Sequence, residues 1–410
     1  MQILVQKFGG TSVATLECLK QVQQKVTNAL NNGFKVVVVL SAKAGKTNTL
    51  LELAHSCAEN PDPLELDSLL STGEHASITL FSLLLNKQGI KTRSLLGWQI
   101  PILTNNDFGQ ARIISINGDM LYKQLKNYDA LIIAGFQGVT QEGQITTLGR
   151  GGSDTSAVAI AASLGSCKCE IYTDVEGVYT TDPNLCTKAR KLAYVSYDEM
   201  LEMASMGAKV LQIRSVEFAK KYNVPIKVLS TFSNASGTMV TQENSIMEAV
   251  LVSSIAYDND QARVTLCDIP HHIGTAASIF GPLAEQHILV DMIIQASSRN
   301  NLTDITFTVS RKDLTRACNL MEELIKSIGG KSVECATNVA KVSLIGVGMR
   351  NHAGVAAKAF NALKDENIDI LLISTSEIKI SCLIEEKYTE LAVRTLHDVF
   401  ELQNDVASLS

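Results

Sequence analysis

The sequence lacks any hydrophobic run of membrane-spanning length. Its longest apolar runs, such as Val36 to Leu40 and Leu83 to Leu85, fall far short of the roughly 20 residues that a spanning helix needs. The first residues, Met1 to Lys7, also lack the basic, apolar and small-residue pattern of a secretory signal. We therefore expect a cytoplasmic protein with no membrane partner.

An excess of positive charge is missing as well. The chain has 36 Lys and Arg residues against 42 Asp and Glu residues, and its formal net charge is -6 at pH 7. A surface with that balance does not attract nucleic acid or an anionic membrane through bulk electrostatics. This excludes a polyanion as a partner, but it does not exclude a local phosphate site.

No Cys-x-x-Cys pair occurs among the nine cysteines, and the two closest are Cys167 and Cys169. No histidine at ligand spacing accompanies that pair, so no metal site is predicted from the cysteines. An odd number of cysteines in a long chain is typical of reduced thiols packed as small hydrophobic side chains. We interpret all nine as free thiols.

The chain has enough apolar residues for more than one core. Its 410 residues are 46% hydrophobic and 19% charged, which excludes disorder. Up to about residue 230, short apolar strands alternate with helical segments, and this predicts an α/β fold whose sheet is covered by helices on both faces. Residues 231–244 are rich in Ser, Thr, Asn and Gly and predict a strand exit and a linker. The predicted strands centre on residues 3–5, 35–40, 130–134, 170–172 and 226–228.

The last third of the chain contains an internal repeat. Each copy predicts a strand, a turn closing on glycine, a helix and two further strands. Chance similarity between two β-α-β pieces is the alternative, but eight identities at one fixed offset of 80 residues argue against it. We interpret the copies as paired regulatory modules. The identities are His272, Gly274, Ala276, Ala277, Phe280, Leu283, Ile288 and Ile293, matched by His352, Gly354, Ala356, Ala357, Phe360, Leu363, Ile368 and Ile373.

Two glycine-containing turns suit the binding of an anion. Lys7 to Ser12 (KFGGTS) follows a buried strand and opens a helix, and Gly149 to Ser156 (GRGGSDTS) leads into a helix of small residues. Glycines let backbone N–H groups approach an anion, and a lysine or arginine adds charge. Ser153 or Asp154 is suited to cap the second helix. The alternative is a pair of ordinary turns with a solvated lysine and an acid favoured by a helix N-terminus.

Three further segments have both a functional and a structural interpretation. Ser41 to Asn48 contains Gly-Lys-Thr, but Leu40 stands where a P-loop needs its first glycine, so the segment is not a P-loop. Two interpretations remain, a turn that binds a small polar ligand and an ordinary capped turn. Tyr172 to Pro183 suits nucleoside recognition or a water-mediated Mg²⁺ contact, or is a loop of solvated acids. Glu74 lies near the start of an apolar helical run, and we interpret His75 beside it as a packing residue.

Together these motifs identify a family. Lys7 to Ser12, Gly149 to Asp154 and Tyr172 to Pro183 resemble aspartate kinase, of the amino-acid kinase superfamily. In the tail, Gly348 to Arg350 and Ser374 to Ser381 resemble the ACT-module signatures of that enzyme. The resemblance covers essentially the whole chain and fits the monofunctional form with two ACT modules.

The resemblance implies an amino-acid-kinase-like αβα sandwich followed by two α+β, ferredoxin-like ACT modules. We expect the catalytic domain at 1–245, a linker at 246–261, and the modules at 262–340 and 341–410. The implied activity is the ATP-dependent phosphorylation of the L-aspartate side-chain carboxylate to 4-phospho-L-aspartate with Mg²⁺. This is the first step towards lysine, threonine and methionine. An ionised carboxylate needs no general base, so positioning and charge neutralisation suffice.

The residue roles follow from the same resemblance. Lys7 and Asp154 are the implied catalytic residues. Glu74 is expected on the substrate α-amino group, Arg150 on its α-carboxylate and Ser41 near the carboxylate that reacts. The implied aspartate-binding residues are Ser41, Thr47, Glu74, Arg150, Gly151, Gly152 and Ser153. The implied ATP-binding residues are Lys7, Phe8, Gly9, Gly10, Thr173, Asp174, Tyr179, Asp182 and Lys209.

The sequence departs from the family pattern at two places. Lys43 and Lys46 add positive charge to a turn where neutral residues are expected, and we interpret both as facing solvent. Gln212-Ile213 replaces the His-Pro found in many relatives after Lys209, which makes the role of Lys209 less secure.

The ACT pair implies feedback control by lysine, threonine or both, and a homo-oligomer formed through the modules. A module that serves only packing and dimerisation is the alternative. Met247 raises a further hypothesis, that internal initiation there gives a shorter second subunit. Asp268 or Asp291 is suited to an effector ammonium group. The implied effector contacts are Asp268, His272, Ile273, Gly274, Thr275, Asp291, Gln295, Asn351, His352, Ala353, Gly354 and Val355.

Two rival functions stay open at this point. Other amino-acid kinases act on glutamate, carbamate or UMP, but they lack the paired ACT tail. A regulatory binding protein with an inactive kinase site is the second rival, and the intact residues Lys7, Glu74, Arg150 and Asp154 argue against it.

Overall fold

A computed structural model describes residues 1–206, 210–244, 247, 250–296 and 301–404. The chain divides into two compact units. The first unit comprises Met1–Val178 and Lys191–Met247, and the second comprises Tyr179–Arg190 and Glu248–Ser410. The expected boundary at 245 and the expected linker stay predictions, but residues 179–190 belong to the second unit, which the sequence did not indicate.

The first unit contains two sheets. Its described strands are, in chain order, β1 (Ile3–Phe8), β2 (Lys35–Leu40), β3 (Thr92–Leu95), β4 (Ile102–Thr104), β5 (Ile113–Ile116), β6 (Ala130–Ala134), β7 (Gln137–Val139), β8 (Ile145–Thr147), β9 (Cys169–Thr173), β10 (Tyr194–Ser196), β11 (Ile226–Ser230) and β12 (Thr238–Thr241). The large sheet has the order β10-β12-β11-β9-β1-β2-β6-β3, and β11, β9, β1, β2, β6 and β3 run parallel. The small sheet has the order β5-β4-β7-β8.

Helices cover both faces of the large sheet, as the apolar strands predicted. The described helices are α1 (Leu16–Asn31), α2 (Lys46–Cys57), α3 (Pro63–Asn86), α4 (Gly118–Leu125), α5 (Gly152–Ser163), α6 (Tyr197–Ser205) and α7 (Ile213–Tyr222). Val36, Val38 and Leu40 pack with residues of α1 and α3 in one core. Val37 and Val39 point to the opposite face because side chains alternate along a strand, and α5 contacts β1, β2 and β9.

The second unit has one six-stranded antiparallel sheet, β14-β15-β13-β16-β18-β17. Its strands are β13 (Ser254–Pro270), β14 (Val290–Gln295), β15 (Leu302–Val309), β16 (Ser332–Ile345), β17 (Leu372–Thr375) and β18 (Lys379–Glu385). Each repeat copy contributes three strands, and β13 pairs with β16 where the copies meet. The helices are α8 (Thr275–Glu285), α9 (Leu314–Ile328), α10 (Val355–Asp365) and α11 (Thr389–Val399). The sequence reading missed α9 and α11.

One local expectation about the first unit is wrong. Residues 231–244 are more than a linker, because they contain β12, which pairs with β10 and β11. Gly237 precedes it with a φ of +73°, a conformation that suits glycine, and the following Thr-Met-Val-Thr run supplies β-branched residues for the strand. The helix predicted after the first glycine turn begins at Leu16, where Thr15 caps it, and Leu19 and Val22 are buried on it.

The cysteines also differ from the expectation. Cys318 on α9 and Cys335 on β16 form a disulfide, so the interpretation of all nine as free thiols is wrong for this pair. The other seven are free. The separation of 17 residues between Cys318 and Cys335 did not indicate a disulfide, because only the packing of α9 on the sheet brings the two sulfurs together. No helix among the described residues has the length and apolar character of a membrane span.

We predict that the disulfide stabilises the second unit. Because it spans 17 residues, replacing both cysteines with serine should lower the free energy of unfolding by about 2–3 kcal/mol. Thermal unfolding with and without a dithiol reductant measures this. Reductant should lower the Tm of the wild type and of a Cys57→Ser control, which alters an exposed free thiol, and leave the double variant unchanged. A wild-type Tm that is the same with and without the reductant would contradict the prediction.

Candidate functional site

The centre of the site is an ion pair between Lys7 and Asp154. Lys7 lies at the carboxyl end of β1, and Asp154 lies in the first turn of α5. The Lys7 Nζ and the Asp154 Oδ1 are 2.5 Å apart, and the two side chains are only 12% and 10% exposed. A carboxylate is also favoured at a helix N-terminus. The ammonium group is therefore held at the carboxyl end of β1 by a close carboxylate partner.

The first glycine turn brings the ends of β1 and β2 together. The Gly9 N–H donates to the Tyr172 carbonyl at 3.4 Å, and the Ala44 N–H donates to the Gly10 carbonyl at 3.1 Å. A Cβ on Gly10 would lie 2.9 Å from the Ala42 carbonyl oxygen. Only glycine fits there without moving the backbone, so Gly10 is needed for the close approach of the two turns.

Glu74 is almost fully buried in the middle of α3, and it precedes the apolar second half of that helix, as predicted. Its Oε1 accepts the Ala42 N–H at 2.9 Å. Its Oε2 is buried and has no hydrogen-bond partner among the described residues. Burial raises the pKa of Glu74 to about 7. His75 is exposed, so its interpretation as a packing residue is wrong. Glu74 is a desolvated carboxyl group with one free acceptor, suited to an ammonium group.

The turn after β2 links Glu74 to the ion-pair region. The Ser41 N–H donates to the Phe8 carbonyl at 3.2 Å, and Ser41 itself is half-buried. Thr47 is half-buried in the first turn of α2, while Lys43 and Lys46 are exposed, as predicted.

The second glycine turn starts α5 without a side-chain cap. Gly151 occupies the N-cap position with a φ of +71°, so the prediction that Ser153 or Asp154 caps the helix is wrong. The left-handed backbone requires glycine, and a Cβ on Gly151 would also lie 1.9 Å from the Gln212 side chain. Asp154 instead faces Lys7.

The other residues of this turn differ in exposure. Gly152 and Ser153 are buried, and a Cβ on Gly135 would lie 2.8 Å from the Ser153 Oγ. Arg150 is exposed between β8 and α5, where its guanidinium group is accessible to a ligand.

The sequence analysis missed the buried Asp67, which supports this turn. Its carboxylate accepts the Thr147 N–H and hydroxyl, both at 2.7 Å, and the Gly109 N–H at 2.9 Å. The spacing of the two acids could have indicated it. Asp67 precedes Glu74 by two helical turns, so both lie on the same, buried face of α3.

Arg214 is a second missed residue. It donates to the Leu148 carbonyl at 2.6 Å and the Ala111 carbonyl at 2.7 Å, and so fixes the chain just before the glycine turn. Burial lowers the pKa of its guanidinium group. No pattern in the sequence indicated these distant carbonyl partners.

The expected ATP-binding residues do not all lie in one unit. Phe8 stacks on Tyr172 with ring centroids 4.6 Å apart, beside Thr173 at the end of β9. The Thr173 hydroxyl donates to the exposed Asp174 carboxylate at 3.0 Å. Tyr179 and Asp182 belong to the second unit, and Lys209 lies outside the described residues.

The acidic residues expected to bind an effector already have cationic partners. Asp268 pairs with Lys331 at 3.2 Å, and its φ is +49°. Asp291 on β14 pairs with Lys341 of β16, whose side chain is only 4% exposed. Each carboxylate thus contacts a lysine ammonium of the same unit, so an effector ammonium would share or displace that lysine.

The remaining predicted effector residues surround two matching helix N-termini. Gly274 and Gly354 are the N-caps of α8 and α10, with φ of +97° and +99° and no side-chain cap. Thr275 and Val355 begin those helices and are buried. Ile273, His352 and Ala353 are exposed, and Asn351 lies in the preceding 3₁₀ turn. His272 lies 2.8 Å from the Thr275 hydroxyl, and Gln295 lies 3.4 Å from His271.

Comparisons with known proteins cover both units. The amino acid kinase family matches residues 2–230, and the ACT domain matches residues 268–324 and 342–400. The chain is 49% identical over 403 residues to an aspartate kinase of Stutzerimonas stutzeri, and the match covers 98% of each chain.

Two solved structures are similar to the whole chain. One is Escherichia coli aspartokinase III in complex with aspartate and ADP, in the R-state, with a TM-score of 0.80 and 28% identity. The other is that protein in complex with lysine and aspartate, in the T-state, with a TM-score of 0.77 and 27% identity. Each match covers 97% of this chain and 99% of the other.

We predict that Glu74 makes the stability of the first unit depend on pH. Its folded pKa of about 7 lies above its ordinary value of 4.5, so the folded state binds the proton more tightly. The wild type should lose about 2–3 kcal/mol relative to Glu74→Gln as the pH rises from 5 to 8. Urea unfolding at several pH values measures the difference. Glu65→Gln, in an exposed position of the same helix, should behave like the wild type. Parallel curves for Glu74→Gln and the wild type would contradict the prediction.

Proposed function

Because the chain belongs to the aspartate kinases of the amino acid kinase family, we propose that the Lys7–Asp154 pair is the centre of its phosphoryl transfer. The protein is an ATP:L-aspartate 4-phosphotransferase. The observation that carries the proposal is the nearly buried lysine ammonium, held 2.5 Å from Asp154 at the carboxyl end of β1. Ligands of open α/β sheets bind at that edge.

The reaction needs positioning and charge neutralisation more than acid–base chemistry. The attacking group is the substrate carboxylate, which is ionised at neutral pH and needs no general base. The bond from the γ-phosphorus to the β–γ bridging oxygen breaks as a carboxylate oxygen bonds to the phosphorus. Lys7 stabilises the negative charge on the phosphate oxygens, and Asp154 orients Lys7. A low-exposure site strengthens both interactions.

Glu74 supports the binding of aspartate in this position. Its buried Oε2 has no hydrogen-bond donor within the described part of the chain, and the α-ammonium group of the substrate supplies one together with a compensating charge. Arg150 is proposed to bind the α-carboxylate through its two parallel N–H groups. Ser41 and Thr47 line the same turn, and Gly151, Gly152 and Ser153 shape the opposite side.

The nucleotide is proposed to bind along the ends of β1 and β9. Gly9 and Gly10 bring backbone close to the phosphates, and Phe8 and Thr173 flank that path. The exposed Asp174 fits Mg²⁺, because this ion takes oxygen ligands from one or two carboxylates and from nucleotide phosphates. When bound, Mg²⁺ supplies neutralisation of phosphate charge. The solved complex of the similar Escherichia coli protein with aspartate and ADP supports the same pair of ligands here.

Feedback control is proposed to act through the second unit. It carries two ACT matches, and a similar protein has been solved in complex with lysine. We propose lysine, threonine or both as effectors, and a place in the cytoplasm at the first step towards lysine, threonine and methionine. A homo-oligomer through the ACT modules, with Met247 as a second start site, belongs to the same proposal.

Loss of the Lys7 ammonium should stop catalysis without stopping aspartate binding. We predict that Lys7→Ala lowers kcat by at least about 10²-fold and changes the KM for aspartate only a few-fold. A coupled assay of ADP release with aspartate, glutamate and UMP measures both values and the substrate preference.

Lys220→Ala is the matched control. Lys220 forms an ion pair of similar length, 2.6 Å to Asp198, but both side chains are far more exposed. This control should retain wild-type kcat. A folded Lys7→Ala protein with kcat near the wild-type value would refute the proposed centre.

The effector proposal predicts inhibition at millimolar lysine, threonine or their mixture. Asp291→Asn should raise the concentration for half-inhibition several-fold, because an amide is a weaker partner for an ammonium group than a carboxylate. Steady-state inhibition and thermal shift measure the effect. Glu322→Gln is the control, since this residue is exposed on α9 and is not among the proposed effector contacts. If neither amino acid alters activity or Tm in the wild type, the proposed regulation is wrong.

A further inference from the structure

The segment Tyr179–Arg190 leaves the first unit and returns to it. The residues on both sides, Val178 and Lys191, belong to the first unit, whereas the segment belongs to the second. Two residues that the family resemblance implies for ATP binding, Tyr179 and Asp182, lie within it. Both are therefore part of the second unit.

Thr180 is buried and anchors the segment. Its N–H donates to the Arg190 carbonyl at 2.8 Å, and the Arg190 N–H donates to the Thr180 hydroxyl at 3.0 Å, which closes the segment on itself. The Ile255 N–H donates to the Thr180 carbonyl at 2.7 Å. The Thr180 Oγ1 also lies 2.9 Å from the Nε2 of the buried His397. These contacts attach the segment to β13 and α11.

Two further contacts with α11 hold the rest of the segment. The Arg394 Nε donates to the Leu185 carbonyl at 2.7 Å. The Lys188 ammonium donates to both oxygens of the Asp398 carboxylate at 2.8 Å. The segment is thus fixed at several points along its length and presents Asp182 in one orientation.

Asp182 is itself held by a side chain of the sheet. Its Oδ2 accepts the Tyr257 hydroxyl of β13 at 3.0 Å. Its Oδ1 accepts the backbone and side-chain N–H groups of Asn184 at 2.8 and 3.0 Å. A carboxylate has about four acceptor positions, and donors from the residues that the structure describes occupy three of them, which leaves one for a ligand. Burial and the nearby carboxylate raise the pKa of Tyr257 to about 12, so the hydroxyl stays a donor at neutral pH.

We propose that Tyr257 is a positioning residue for nucleotide binding. Its hydroxyl turns the Asp182 carboxylate so that the remaining acceptor position receives a hydroxyl or amino donor from the nucleoside of ATP. Tyr257 lies on the regulatory sheet and acts through Asp182. The inference rests on the proposed ATP role of Asp182, which the test below examines separately.

Tyr257→Phe tests the inference, because it removes the hydroxyl and keeps the ring. The expected result is a KM for ATP raised roughly three- to tenfold, within the range for the loss of one ordinary hydrogen bond, because Tyr257 acts on the nucleotide only through Asp182. The kcat and the KM for aspartate at saturating ATP should stay within about twofold, since the groups that act on aspartate lie in the first unit. A titration of ADP binding without aspartate should show the same loss of affinity. Tyr194→Phe, at an exposed tyrosine of β10, should match the wild type.

Asp182→Asn separates the inference from its premise. If it leaves the KM for ATP unchanged, the proposed ATP role of Asp182 fails. If it raises that KM while Tyr257→Phe does not, the role of Tyr257 fails. A Tyr257→Phe protein that loses Tm, kcat and affinity for aspartate together would show a merely structural role and would also overturn the inference.

Discussion

The structure of the first unit depends on the placement of one charged pair away from water. Lys7 and Asp154 are both nearly buried, and a buried charge is tolerated only with a close partner. Lys7 is held by a strand with hydrogen-bonded neighbours on both sides, and Asp154 by the first turn of a helix packed on that strand. This arrangement requires glycine in both turns, since a Cβ on Gly10 or Gly151 would collide with the neighbouring segment.

The two units use carboxylates in opposite ways. In the first unit, one oxygen of Glu74 has no partner among the described residues, so a ligand ammonium would relieve an existing cost of burial. In the second unit, Asp268 and Asp291 are already paired with lysines. An effector ammonium there gains only the difference between two similar ion pairs. With the proposed roles, this difference favours selective binding of the substrate ammonium group at Glu74. It favours weaker, reversible binding of an effector ammonium group at Asp268 or Asp291.

The sequence predicted the parts of the fold that depend on local pattern. The four consecutive valines of β2 and the apolar run of β6 gave their bounds to the residue, 35–40 and 130–134. The fixed offset of the repeat anticipated two similar three-stranded copies. The Lys7 turn could be singled out because a lysine, the end of an apolar strand and paired glycines lie within a few residues. The strands and this turn are encoded by neighbouring residues, and the repeat is encoded by identities at one fixed offset.

What the sequence could not show depends on tertiary contacts. The depth of Glu74 and the supporting roles of Asp67 and Arg214 arise from partners 32 to 103 residues away. The disulfide likewise needs a helix to pack on a strand. The assignment of Tyr179–Arg190 to the second unit matters most, because a linear division at one boundary assumes that each unit is continuous in the chain. Here the chain enters the second unit twice, so two residues expected to bind the nucleotide, Tyr179 and Asp182, belong to that unit and not to the first.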